Sequence, residues 1–173
     1  MMRVGCLAAL ILINYVLQST LLVRVSIIGV NPDTAIILIV SYGILRGDVE
    51  GAVFGFFSGL VHDMFGGHFI GLYAMLGMLT GYAAGKPFKD YFKDNYFLPF
   101  MIVVAATFSY QTLIYFTSFL IRGRLDFWFY ITNIIMPKTI YTAAVALPLY
   151  SLMFVINSRI EDYEHNRRNL FKE

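Results

Sequence analysis

The chain has 173 residues, of which 58% are hydrophobic and only 14% charged, where soluble domains average about 25% charged. Apolar segments recur along its whole length, so no soluble domain of ordinary size remains once they are removed, and the composition describes a membrane protein. A net charge of +2 with dispersed basic residues excludes a nucleic-acid patch. Cys6, the single cysteine, excludes an intramolecular disulfide and any cysteine-rich metal site.

The first apolar run, residues 4–22, follows Arg3 and so shares features with a signal peptide. It reaches Leu22 without a small-x-small cleavage pattern, which makes it a first membrane span. Asn14 and Gln18 lie four apart on one face of this span. Side-chain amides in such positions bond neighbouring membrane helices, each for about 0.6–2 kcal/mol.

Further spans are expected at 33–46, 50–66, 70–85, 97–121 and 137–156. A hydrocarbon core of about 30 Å needs about 20 helical residues, so the second to fourth are short. The expected fold is therefore all-α, a transmembrane domain of six helices over residues 1–156 and a tail over 157–173. Alternating the connections puts Arg3, Arg46, Lys86, Lys89, Lys93, Arg159, Arg167, Arg168 and Lys172 on the side of the termini. Only Arg24, Arg122 and Arg124 fall opposite, with Lys138 at a span end. This bias predicts that both termini are cytoplasmic in a multi-pass protein of the bacterial membrane.

Two connections suit the membrane surface. In KPFKDYFKDNY (86–96) helical spacing separates Lys86, Lys89 and Lys93 from Phe88, Tyr91 and Phe92. The segment is either a short helix among headgroups or a plain basic loop. RGRLDFWFYITNIIM (122–136) holds the only tryptophan and predicts a helix on the outer face, with Pro137 in the first turn of the last span.

Residues 51–66 read GAVFGFFSGLVHDMFG, and 71–85 read GLYAMLGMLTGYAAG. Gly51, Gly55 and Gly59 are spaced by four, as are Gly77, Gly81 and Gly85, and also Gly67 and Gly71. On a helix that spacing marks one face, and small residues let membrane helices approach closely. The two ladders predict a tightly packed hairpin or faces that accept other helices. Asp63 continues the first ladder, so its carboxylate points into protein. It also sits in a last helical turn, where the dipole disfavours an anion. A carboxylate placed against burial and dipole alike predicts a role in tying helix ends together. Gln18 is expected at a similar depth, near Asp63 but not bonded to it.

Catalytic motifs are missing. His62 and His68 are six apart across two glycines, whereas a helical zinc pair needs an interval of four and an adjacent glutamate. Both are expected near a water interface. No G-x-S-x-G elbow, phosphate loop or dinucleotide fingerprint occurs, so neither a catalytic residue, a metal nor a cofactor is expected. The tail pairs Glu161 with His165 and Glu164 with Arg168, as a solvated helical extension would.

LQSTLL (17–22), GVNPD (29–33), LRGDVEGAVFGFFSGLVHDMFGG (45–67) and GLYAMLGMLTGYAAG (71–85) together resemble the MreD family of the bacterial rod-shape machinery. The pattern G-F-x-x-G-L-x-x-D over Gly55 to Asp63 is the most telling part. The resemblance covers most of the first half, and length and layout agree beyond it. It implies a non-enzymatic scaffold that binds MreC and, in the same complex, MreB, RodA and a penicillin-binding transpeptidase during lateral peptidoglycan synthesis. It also implies a fold related to the substrate-binding subunits of energy-coupling-factor vitamin transporters. A transporter subunit is thus the competing reading, and Asn14, Gln18, Asp63 and His68 could line its outer pocket.

Overall fold

A computed structural model describes residues 2–20, 31–66, 71–86, 97–120 and 127–170, and everything regular among them is helical. The helices are α1 (Met2–Thr20), α2 (Thr34–Arg46), α3 (Asp48–Gly66), α4 (Leu72–Gly85), α5 (Phe97–Leu120), the single turn α6 (Phe127–Tyr130) and α7 (Met136–Leu170). A π turn, Ile131–Ile135, joins α6 to α7. Among the described residues, two stretches are long and apolar enough by themselves to cross a bilayer, Pro99–Thr117 and Trp128–Ser158. Leu7–Thr20 and Thr34–Arg46 are shorter apolar helices.

α2 is the centre. Its sequence TAIILIVSYGILR is apolar on every side, and Thr34 to Ile44 are all buried, as expected of a helix enclosed by others. Ile36, Ile37, Val40 and Ile44 pack with Leu76 of α4, Val103, Tyr110 and Ile114 of α5, and Ala146 of α7. Its other side, Leu38, Ile39 and Tyr42, meets Ile11 of α1, Phe54 of α3 and Met153 of α7. Arg46 at its far end donates to Asn157 Oδ1 of α7. α2 and α7 are thereby joined at one end through Arg46 and, as shown below, at the other through Asp33.

α3 and α4 form a hairpin with almost no side chain between them. A Cβ added to Gly55 would strike the Gly77 carbonyl, and one added to Gly77 would strike that of Gly55. Gly51 and Gly81 face each other in the same reciprocal way, and Gly59 faces the backbone of Tyr73 and Ala74. Bare Cα groups so placed against carbonyl oxygens make weak C–H···O contacts of about 0.5–1 kcal/mol each. Gly85 closes on the backbone of Asp48. A third helix shares the end where α3 begins: a Cβ on Gly43 of α2 would lie 2.8 Å from the Gly81 oxygen, and one on Gly51 would lie 2.6 Å from the Gly43 Cα. Gly71 is different in kind. It stands at the N-cap of α4 with φ +96°, so glycine there serves a left-handed turn and not a packing face. Its expected ladder partner Gly67 lies outside the described residues.

The last third departs from expectation. In place of a separate surface helix before Pro137, residues 127–170 run as one helical rod through the π turn. Proline lacks the N–H that would bond the carbonyl four residues back. The π turn precedes it directly, with the Met136 N–H bonded to the Ile131 carbonyl, and the local widening carries the helix past the proline. The possible surface helix at 86–96 lies outside the described residues beyond Lys86, whose ammonium rests 5.3 Å from the Tyr82 ring centroid.

Candidate functional site: a polar recess at one end of the bundle

At the end where α3 finishes and α4 begins, Asp63 is 97% buried, with 3% of its surface exposed. The backbone N–H of Tyr73 donates to its Oδ1 at 3.2 Å and that of Ala74 to its Oδ2 at 2.9 Å. These are first-turn donors of α4, whose own N-cap, Gly71, supplies no side chain. Asp63 therefore caps the neighbouring helix from across the hairpin. It sits in an unfavourable place on its own helix and a favourable one on the next, because the positive end of the α4 dipole lies beside the negative end of α3. The antiparallel register explains the position, since Gly59 faces Tyr73 and Ala74 one turn before Asp63 receives their amides.

A second carboxylate organises the other side. Asp33 follows Pro32 and caps α2, accepting from the Ile36 N–H at 3.4 Å. Its Oδ2 accepts from Gln111 Nε2 of α5 at 3.1 Å and pairs with Lys138 Nζ of α7 at 3.3 Å. Its own N–H donates to Thr142 Oγ1 of α7 at 3.0 Å. Asp33 thus binds three helices together in a nearly dry place, with its side chain 10% and that of Lys138 23% exposed.

Between these two centres lies a recess of about 400 Å³. Tyr15, Tyr73, Tyr110 and Tyr130 line it, together with the polar groups of Gln18, Asp33, His62, Gln111 and Lys138. The His62 ring stacks on Tyr73 at 5.6 Å and meets Tyr15 edge-on at 5.7 Å, so α1, α3 and α4 share one aromatic cluster. Tyr130, the residue just before the π turn, packs on Tyr115 at 4.5 Å. Gln18 Oε1 accepts from Thr34 Oγ1 at 3.3 Å, joining α1 to α2.

The expected polar residues are therefore distributed unequally. Gln18 reaches the recess, and Asp63 holds the amide of Tyr73 behind its wall. Asn14 is half-buried and makes no hydrogen bond among the described residues. His68 lies outside them. His62 takes part through its ring faces. Asp33, Gln111, Lys138 and Thr142 were not among the expected site residues. The signal available was Asp33 after Pro32, a capping pattern, and a lysine beside Pro137 at the edge of an apolar span.

Comparison with known proteins gives one match. A family model described as rod shape-determining protein MreD matches residues 2–159. No curated protein and no solved structure matches the chain.

Proposed function

The chain belongs to the MreD family of rod shape-determining integral membrane proteins, and on that premise we propose that it is a non-catalytic scaffold subunit of the bacterial elongation complex. In this reading it spans the cytoplasmic membrane six times with both termini inside, in a fold related to the vitamin-binding subunits of energy-coupling-factor transporters. It supports lateral peptidoglycan synthesis by binding MreC and, through the same complex, MreB, RodA and a penicillin-binding transpeptidase. One observation carries the scaffold role: the buried carboxylates near the recess, Asp63 and Asp33, are both engaged in joining helices. That use of ionisable groups gives a preformed, tyrosine-lined surface at the outer end, suited to receive a partner segment. The glycine seam makes the wall behind it stiff.

The test is replacement of the rod-shape gene in cells that depend on it, with MreC recovery as the second readout. Restored rod shape with MreC co-purifying supports the reading; rod shape without recoverable MreC removes the partner assignment. A second reading has one observation in its favour. A recess of about 400 Å³ falls in the range of small-molecule pockets, about 300–1,000 Å³, as a vitamin-binding subunit would need. Native mass spectrometry of the purified protein separates the two, because a stoichiometric small molecule in the recess would favour the transporter. Neighbouring genes for MreB and MreC would favour the scaffold, and a pair of energising ATPases the transporter.

A further inference from the structure

α3 presents two opposite faces that meet different fates. Its glycine face is closed against α4. Its other face, Val49, Val53 and Phe57 at intervals of four, borders an apolar groove of about 650 Å³ whose far wall is α1, with Ala8 and Leu12. Leu12, Val53 and Phe57 leave half or more of their surface uncovered, at 53%, 52% and 52%. At the end of the groove where α3 begins, Tyr42 Oη donates to Glu50 Oε2 at 3.3 Å, and both side chains line the groove.

Gly5 adds an independent observation. It precedes Ala8 by three residues and so shares its face of α1. Gly43, Gly51, Gly55, Gly59, Gly77, Gly81 and Gly85 would each drive an added Cβ into neighbouring backbone. Gly47 and Gly71 have positive φ. Gly5 has neither reason to be glycine, since nothing lies within 4 Å of the place its Cβ would take.

We propose that the groove between α1 and α3 receives one transmembrane helix of a partner protein, carrying Lys or Arg at its cytoplasmic end. A helix gains from Gly5 and Ala8 because small residues admit its backbone, whereas a flexible acyl chain needs no such clearance. Glu50 supplies the charge complement. By the basic-residue bias of the sequence, the start of α3 lies at the cytoplasmic face, where membrane helices are flanked by basic residues. The same carboxylate repels acidic lipid headgroups. The groove and the recess lie on one seam, since α1 contributes Ala8 and Leu12 to the first and Tyr15 and Gln18 to the second. A chain that crosses the membrane in the groove therefore emerges beside the recess.

The inference rests on MreC as partner, and the experiment separates the two. Photoreactive benzoylphenylalanine is placed at Val53, at Leu12 or, as a control, at Met78 on α4, in cells producing full-length MreC. The expected result is an MreC adduct at positions 53 and 12 and none at 78, mapping to an unbroken apolar stretch flanked by Lys or Arg. Gly5→Leu should lower adduct yield about tenfold and Glu50→Gln, which keeps an acceptor for Tyr42, about threefold. The level of the chain itself should hold in both. Adducts at 53 and 12 that contain only lipid, or that join two copies of this chain, overturn the groove assignment while MreC recovery stands. If MreC does not co-purify with the unaltered chain, both readings fall.

Discussion

The seam between α3 and α4 and the seam between α1 and α3 are built from the same helix by opposite means. On the first, side chains are absent and backbones touch, with Asp63 fastening the end where α4 begins by accepting two backbone N–H hydrogen bonds. On the second, large side chains line an open groove, and Tyr15 bridges to His62 and Phe65 by ring contacts near the end of α3. Lipid tails are as apolar as leucine, so apolar side chains alone do not draw membrane helices together. Close packing and buried hydrogen bonds do: the glycine face of α3 has backbone contact along its length and the Asp63 cap, whereas the other face borders an open groove with the Tyr42–Glu50 bond at one end. The lesson is that on α3 apolar side chains alone do not show which neighbour is held, while glycine and carboxylate positions do.

The largest test of that contrast is steric. Gly55→Leu or Gly81→Leu should remove most of the protein from the membrane, because each forces a side chain into the opposite helix's backbone at a cost of about 3 kcal/mol or more. Val53→Leu, two positions from Gly55 but on the open face, should leave the level unchanged. The comparison is made by quantifying the chain in membranes and by size exclusion in detergent. Equal loss in all three variants would mean that the glycine face holds no more than the open one.

How far the sequence reveals this arrangement follows from what is local. Helical class and approximate helix limits are visible in the apolar runs, and a spacing of four puts Gly51, Gly55 and Gly59 on one face without further information. The register that pairs Gly55 with Gly77 is not local, since it depends on the turn at Gly71 and on Gly43 entering from α2. Asp63 is recognisable as a misplaced carboxylate, but its donors are backbone amides, which every residue carries and no pattern marks. Asp33, Gln111, Lys138 and Thr142 come from three helices, and their meeting is a product of packing. The continuation through Pro137 was hidden because a proline ordinarily reads as a helix start, whereas here a π turn leads into it and the helix runs on.

The next effect in size contrasts the hub with the hairpin. Asp33→Ala removes the cap of α2, the Gln111 bond and the partner of Lys138 together, and should cost about 2–4 kcal/mol after allowing for the partial exposure of the lysine. Lys138→Met should cost less, because Asp33 keeps the Ile36 and Gln111 donors. Thermal unfolding in detergent ranks them. A larger loss for Lys138→Met would show that the ion pair and not the capping network holds α2 to α5 and α7.

Asp63 gives a finer reading. Asp63→Leu leaves the Tyr73 and Ala74 amides without acceptors at about 1–3 kcal/mol. Asp63→Asn should fall between this variant and the parent, since its single carbonyl satisfies one amide while its NH2 faces the other. Rod-shape rescue and MreC recovery at matched membrane levels should follow the same order. Complete loss with Asn, equal to that with Leu, would point to a need for the charge beyond capping.

The smallest expected effect is the most informative about α1. Gln18 and Thr34 join α1 to α2 by a hydrogen bond of 3.3 Å between two partly buried side chains. Interhelical bonds of this kind average about 0.6 kcal/mol in membranes, because a released amide finds other partners. Gln18→Leu and Thr34→Val should therefore each lower stability only slightly, and the double variant should show a coupling under about 1 kcal/mol in a mutant cycle. The side chain of Gln18 also lines the recess, so MreC recovery should fall more than stability does. The two readouts divide the possibilities. A coupling above about 2 kcal/mol would place α1 among the fixed helices, and the groove beside it would then be a rigid cleft with no freedom to adjust to an incoming helix. A small coupling with an undiminished partner yield would mean that the recess wall at Gln18 faces water alone.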